Sequence, residues 1–207
     1  MLYYILFIIA FLPLFLIYPV RVVGKRNIPK KGKMILVANH QTLNDPIIMA
    51  HRLTSRRRYV FMAKKELFKS KFSNWFLKKL GAFPVDNKST TDLTAVKTTL
   101  KLLKEDKAVC IYPEGGRFKS DEANEVKHGV AMFALKSGAP IIPSCFIKKT
   151  NAFRFNTYII GEPLYLSEME QFKDRKIDKD VLDEASEIIG KSIYSLKYNY
   201  ENRKNKK

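Results

Sequence analysis

Five short apolar runs punctuate the chain: Met34–Ala38, Tyr59–Ala63, Ala108–Tyr112, Pro140–Ile147 and Phe155–Ile160. Runs of this length read as buried strands. Between and after them the apolar residues recur at helical spacing. Ile47–Leu53, Glu66–Leu80, Ser89–Glu105, Lys127–Lys136 and Val181–Tyr198 are predicted helices. Leu93, Val96, Leu100 and Leu103 fall on one face of the third, Gly138 stops the fourth, and Gly81–Val85 reads as a turn and short strand. Strands alternating with helices, without an internal repeat, predict one α/β domain. At 207 residues and 46% hydrophobic the chain can build a full core, which excludes a disordered chain. Two cysteines, Cys110 and Cys145, cannot make a disulfide scaffold, and their lack of CxxC spacing argues against structural zinc.

The first charged side chain is Arg21. Met1–Val20 is rich in Leu, Ile and Phe, and a helix of that length spans about 30 Å, one hydrocarbon core. No basic n-region or small-residue cleavage site accompanies it, so residues 1–20 are expected to be a retained membrane-anchoring helix. Pro13 and Pro19 leave a kinked span and a shallow wedge both open. Residues 21–198 would form the domain and 199–207 a basic tail. Arg21, Lys25 and Arg26 follow the run at once, which locates the chain at the cell membrane with its domain on the cytoplasmic side.

The net charge of +18 calls for a polyanionic partner. His51–Leu80 carries ten Lys or Arg residues, one acid, and interleaved Tyr59, Phe61, Phe68, Phe72, Trp75 and Phe76. Such a surface fits RNA, a solvated face, an acidic carrier protein or anionic lipid. Beside an apolar anchor the membrane-facing reading is favoured, and no RNP or zinc-finger pattern points to nucleic acid.

His40 and Asp45 lie in Asn39-His40-Gln41-Thr42-Leu43-Asn44-Asp45-Pro46, directly after the first apolar run. A carboxylate at a helix start, five residues after a His at a strand end, can pair with Nδ1 and fix the tautomer, leaving Nε2 to take a proton. Taken alone, the pair also fits a structural hydrogen bond. No GxSxG or convincing Ser or Cys nucleophile is present, so direct attack by a bound alcohol is favoured over an acyl-enzyme. Tyr112-Pro113-Glu114-Gly115-Gly116-Arg117 forms a second cluster, in which two glycines and an Arg suit a phosphate or carboxylate cradle.

Together these segments resemble the bacterial 1-acyl-glycerol-3-phosphate O-acyltransferases, the lysophosphatidic acid acyltransferase family. The family's N-H-x-x-x-x-D motif is met by Asn39–Asp45. Its F-P-E-G-T-R motif is met by Tyr112–Arg117, with Tyr112 for Phe and Gly116 for Thr. Gly81–Asn87 matches a third motif except at its end, where Asn87 replaces Arg, and Ala139–Pro143 resembles the fourth. The resemblance covers residues 20–165. It implies a mixed, mostly parallel sheet wrapped by helices, glycerolipid acyltransferase-like, and transfer of an acyl group to 1-acyl-glycerol-3-phosphate. It gives His40 the role of base and Asp45 that of orienting it. Glu114, Gly115, Gly116 and Arg117 would bind the acceptor phosphate, with Lys88 a substitute charge beside Asn87. The donor would be acyl-CoA or acyl carrier protein, with no metal or redox cofactor. Asn87 keeps a different lysolipid acceptor open, and a non-catalytic lipid-binding protein is the remaining alternative.

Overall fold

The computed structural model describes residues 16–53, 57–86, 92–115 and 126–205. Its strands are β1 (Val20–Val23), β2 (Met34–Ala38), β3 (Tyr59–Lys64), β4 (Ala82–Val85), β5 (Ala108–Ile111), β6 (Ile141–Phe146) and β7 (Asn156–Ile160). The described helices are α1 (Asp45–Leu53), α2 (Lys71–Lys79), α3 (Leu93–Lys104), α4 (His128–Ser137) and α5 (Lys179–Asn205).

The strands form one sheet in the order β1-β7-β6-β2-β5-β3-β4. Every pairing is parallel except β6 with β7. The mixed, mostly parallel sheet expected from the sequence is therefore present. β2, β5 and β6 are buried along their whole length, because helices cover both faces. Met34, Leu36 and Ala38 face one core with Ile48, Met49 and Leu53 of α1; Ile35 and Val37 face the other, with residues of α4 and α5. Period-two alternation thus sorts one unbroken apolar run into two cores. Gly138 caps α4 in the left-handed conformation at φ 62°, as its position predicts. Cys110 and Cys145 are buried and free, and burial pushes the Cys145 thiol up to about 12.

Val20 opens β1 and pairs with Asn156. The end of the apolar run is docked: the backbone N–H of Phe153 donates to the Ile17 carbonyl (2.6 Å) and that of Asn156 to the Pro19 carbonyl (2.9 Å). The anchor expected over residues 1–20 otherwise lies outside the described residues, among which no helix is long and apolar enough to cross a membrane. The helix expected over Glu66–Leu80 is broken, because Ser70 caps α2 by accepting from the Ser73 N–H at 3.0 Å. Lys65–Phe68 before it forms a single 3-10 turn. α5 continues past residue 198 to Asn205.

Candidate active site

β2, β5, β3 and β4 run parallel, so their carboxyl ends share one sheet edge, where open α/β sheets bind ligands. The β2–β5 register sets Val37 beside Ile111, which brings the segments starting at Asn39 and Tyr112 side by side. Asn39 extends the ladder with its side chain. Its amide donates to the Phe146 carbonyl (3.1 Å) and its carbonyl accepts from the Phe146 N–H (2.9 Å). The chain turns away from the sheet at His40 from this fixed point.

Asp45 is fully buried at the start of α1. Its Oδ2 accepts from the backbone N–H of Gln41 (2.7 Å) and Thr42 (2.6 Å) and lies 3.4 Å from His40 Nδ1. Its Oδ1 accepts from the hydroxyls of Thr42 (2.5 Å) and Thr150 (2.9 Å). Burial alone would raise the Asp45 carboxyl. The hydrogen bonds from His40, Thr42 and the two amides outweigh it and hold the group below its ordinary 3.8. An ionised carboxylate is thus fixed beside Nδ1, which orients the ring. The 3.4 Å separation is long for a hydrogen bond, as catalytic pairs often are without substrate. The Tyr112 ring stacks on the imidazole, with centroids 4.3 Å apart at 30°. The His40 side chain retains 16% exposure.

Glu114 is buried close to the same histidine, and its carboxyl accepts from the Tyr194 hydroxyl of α5 at 2.6 Å. Burial raises this carboxyl above its ordinary 4.5, and the Tyr194 and His40 contacts partly reverse the shift. Gly115 closes the turn at φ 67°, its N–H donating to the Tyr112 carbonyl (3.1 Å). A Cβ there would lie 2.7 Å from Lys127 Nζ, so the missing side chain lets the ammonium lie against the turn. On the same edge, after β3 and β4, Lys65 pairs with Asp86, which raises the Lys65 ammonium's pKa.

His40, Asp45, Glu114 and Gly115 are therefore brought together. Asn87, Lys88, Gly116 and Arg117 lie outside the described residues. Thr150, Tyr194, Lys127 and Lys65 also reach the cluster or its edge but are absent from the sequence-based site. Lys65 and Lys127 stand in segments that resemble the family. Thr150 and Tyr194 carry no local signal, reaching their partners across 105 and 80 positions.

Among known proteins, the family model described as Acyltransferase matches residues 19–147. The 1-acyl-sn-glycerol-3-phosphate acyltransferase of Bacillus subtilis is 31% identical, covering 86% of this chain and 87% of the relative. That of Borreliella burgdorferi is 30% identical over 81% of this chain and 72% of the relative. The Streptococcus pneumoniae enzyme of the same name is 31% identical, and the match spans only 54% of its length. The crystal structure of the 1-acyl-sn-glycerophosphate acyltransferase PlsC of Thermotoga maritima superposes with a TM-score of 0.67 at 26% identity, covering 94% of this chain and 78% of that one. Motif, fold and relatives agree: the chain belongs to the 1-acyl-sn-glycerol-3-phosphate acyltransferase family.

Proposed function

We propose that the protein transfers a fatty acyl group from a thioester, acyl-CoA or acyl carrier protein, to the free hydroxyl of 1-acyl-glycerol-3-phosphate at a membrane surface, yielding phosphatidic acid. The observation that carries this is the His40–Asp45 pair, with Asp45 ionised and the ring held by Tyr112. Nε2 removes the proton of the acceptor hydroxyl as its oxygen attacks the thioester carbonyl. The tetrahedral intermediate collapses, the C–S bond breaks, and the imidazolium returns the proton to the departing thiolate. The thioester is already activated, so base catalysis and proximity suffice without an acyl-enzyme.

The Glu114–Gly115 turn, followed in the sequence by Gly116 and Arg117, is assigned to the acceptor phosphate, because an Arg fork beside glycines suits that anion. Asn87 favours a second reading, in which the acceptor is another lysolipid. Asn lacks the permanent charge of the family's Arg, and Lys88 offers only a point charge. Membrane association is supported by α2, which turns Phe76 toward Ala50 of α1 while Phe72 and Trp75 remain 71% and 46% exposed among Lys69, Lys71, Lys78 and Lys79. The test is to incubate the membrane-reconstituted chain with a panel of lysolipids and each donor, reading products by mass. Phosphatidic acid as the main product supports the first reading; acylation of a different lysolipid supports the second; no acylation of any lysolipid refutes both.

A further inference from the structure

The connection from β6 to β7, residues 147–155, contains Lys148, Lys149 and Arg154 and no acid. At its tip Phe153 and Phe155 are 79% and 88% exposed. A floppy loop would fold two phenyl rings inward, but this one is held from beneath. The buried Asn156 side chain accepts from the Asn151 N–H (2.9 Å) and donates to the carbonyls of Asn151 (3.0 Å) and Arg154 (2.8 Å). Phe153 occupies the left-handed region at φ 57°, a conformation that glycine adopts without strain and a bulky side chain does not. A strained phenylalanine presented to water is kept for something other than the stability of the free domain.

Two structural relationships identify the partner. The Phe153 N–H donates to the Ile17 carbonyl, so the loop tip lies where the charge-free run of residues 1–20 joins the domain. Leu43, 66% exposed, precedes Asn44, whose amide donates to the Tyr18 hydroxyl at 2.8 Å on the same side. At the other end of the loop, Thr150 donates to Asp45. Phe153 lies three positions after Thr150, so their Cα atoms are at most about 11 Å apart.

We infer that Phe153 and Phe155 form a wedge that inserts into an anionic phospholipid bilayer and sets the height of the His40–Asp45 pair above it. The phenyl rings enter the acyl boundary while Lys148, Lys149 and Arg154 meet lipid phosphates, the division of labour of interfacial segments. A lysolipid acceptor then presents its hydroxyl to His40 without leaving the membrane. The inference rests on the membrane-acting acyltransferase reading.

The test uses the full chain in vesicles of mixed zwitterionic and anionic phospholipid. In a Trp75→Phe, Phe155→Trp variant the sole indole reports the loop. Its emission is expected to be solvent-like without vesicles, to shift to the blue with them, and to be quenched by lipids brominated along their chains. Solvent-like emission with vesicles overturns the wedge. Emission already blue before vesicles are added also overturns it, because the chain's own residues 1–15 would then cover the loop. Phe153→Gly supplies the functional arm, since glycine relieves the backbone and should leave thermal stability equal or higher. Turnover of a vesicle-embedded lysolipid is expected to fall at least about 10-fold, the scale of losing one phenyl transfer from water. Turnover of a short-chain lysolipid dissolved as monomer should stay within about twofold. Equal losses on both substrates overturn the proposal. If wild-type chain acylates neither, the acyltransferase reading fails, and the indole emission still decides the wedge.

Discussion

The Tyr194 hydroxyl, on the C-terminal helix, donates to Glu114 Oε1 at 2.6 Å. α5 lies outside residues 19–147, yet it reaches the turn that abuts His40. The bond stabilises the ionised form of a carboxyl that burial raises. Tyr194→Phe should therefore move the Glu114 pKa higher still. The acid limb of kcat/KM against pH is expected to shift upward, with the acceptor KM rising more than the donor KM. An unmoved pH profile would make Tyr194 a packing residue.

Asp45 and Glu114 should pull stability in opposite directions with pH. The folded Asp45 carboxyl sits below its ordinary 3.8, so the unfolded chain binds that proton first. Its contribution is present above 3.8 and is lost as pH falls through the folded value. Glu114 sits above its ordinary 4.5, so its contribution declines as pH rises from 4.5 through the folded value. Asp45→Asn should remove the first limb from thermal melts across acid pH and destabilise the fold at neutral pH. It sets a donor-bearing amide among N–H and O–H donors, at a cost of about 1–3 kcal/mol. Thr150→Val removes a hydroxyl that meets both Asp45 Oδ1 and the Thr42 hydroxyl and should cost about 1 kcal/mol.

The Tyr112 hydroxyl is buried and has no hydrogen-bond partner among the described residues, while its ring stacks on His40. Tyr112→Phe keeps the stack and deletes the orphaned group. Melting should show equal or greater stability, and turnover should stay close to wild type. A marked fall in activity would mean that the hydroxyl meets substrate.

Trp75 is the chain's one tryptophan and stands on the exposed face of α2. Its intrinsic emission is expected to shift to the blue with anionic vesicles at low salt and to revert as salt rises, because the surrounding lysines act through screened charge. No shift with anionic vesicles at low salt would leave the carrier-docking or solvated reading of that face.

How much of this was legible depends on how locally each feature is encoded. β2 was readable residue for residue because Met34–Ala38 is buried on both faces, and an unbroken apolar run is what such a strand requires. The His40–Asp45 pair was readable because both partners lie within one turn. β1 was hidden: Val20–Val23 is an edge strand that merges with the apolar run before it and carries the exposed Arg21. The break before α2 hung on one capping serine, Ser70, inside an otherwise continuous helical pattern. Thr150 and Tyr194 could not be read, since only the β6–β7 connection and the packing of α5 bring them to Asp45 and Glu114.

The most direct measurement compares wild-type and His40→Ala chains for phosphatidic acid formed from 1-acyl-glycerol-3-phosphate and an acyl thioester. His40 keeps an exposed edge, so the alanine variant should fold and attach to membranes as wild type does. Its rate is expected to drop by roughly 10²- to 10⁴-fold, the usual worth of a positioned base. A His40→Ala chain that forms phosphatidic acid at near wild-type rate would contradict the proposed mechanism.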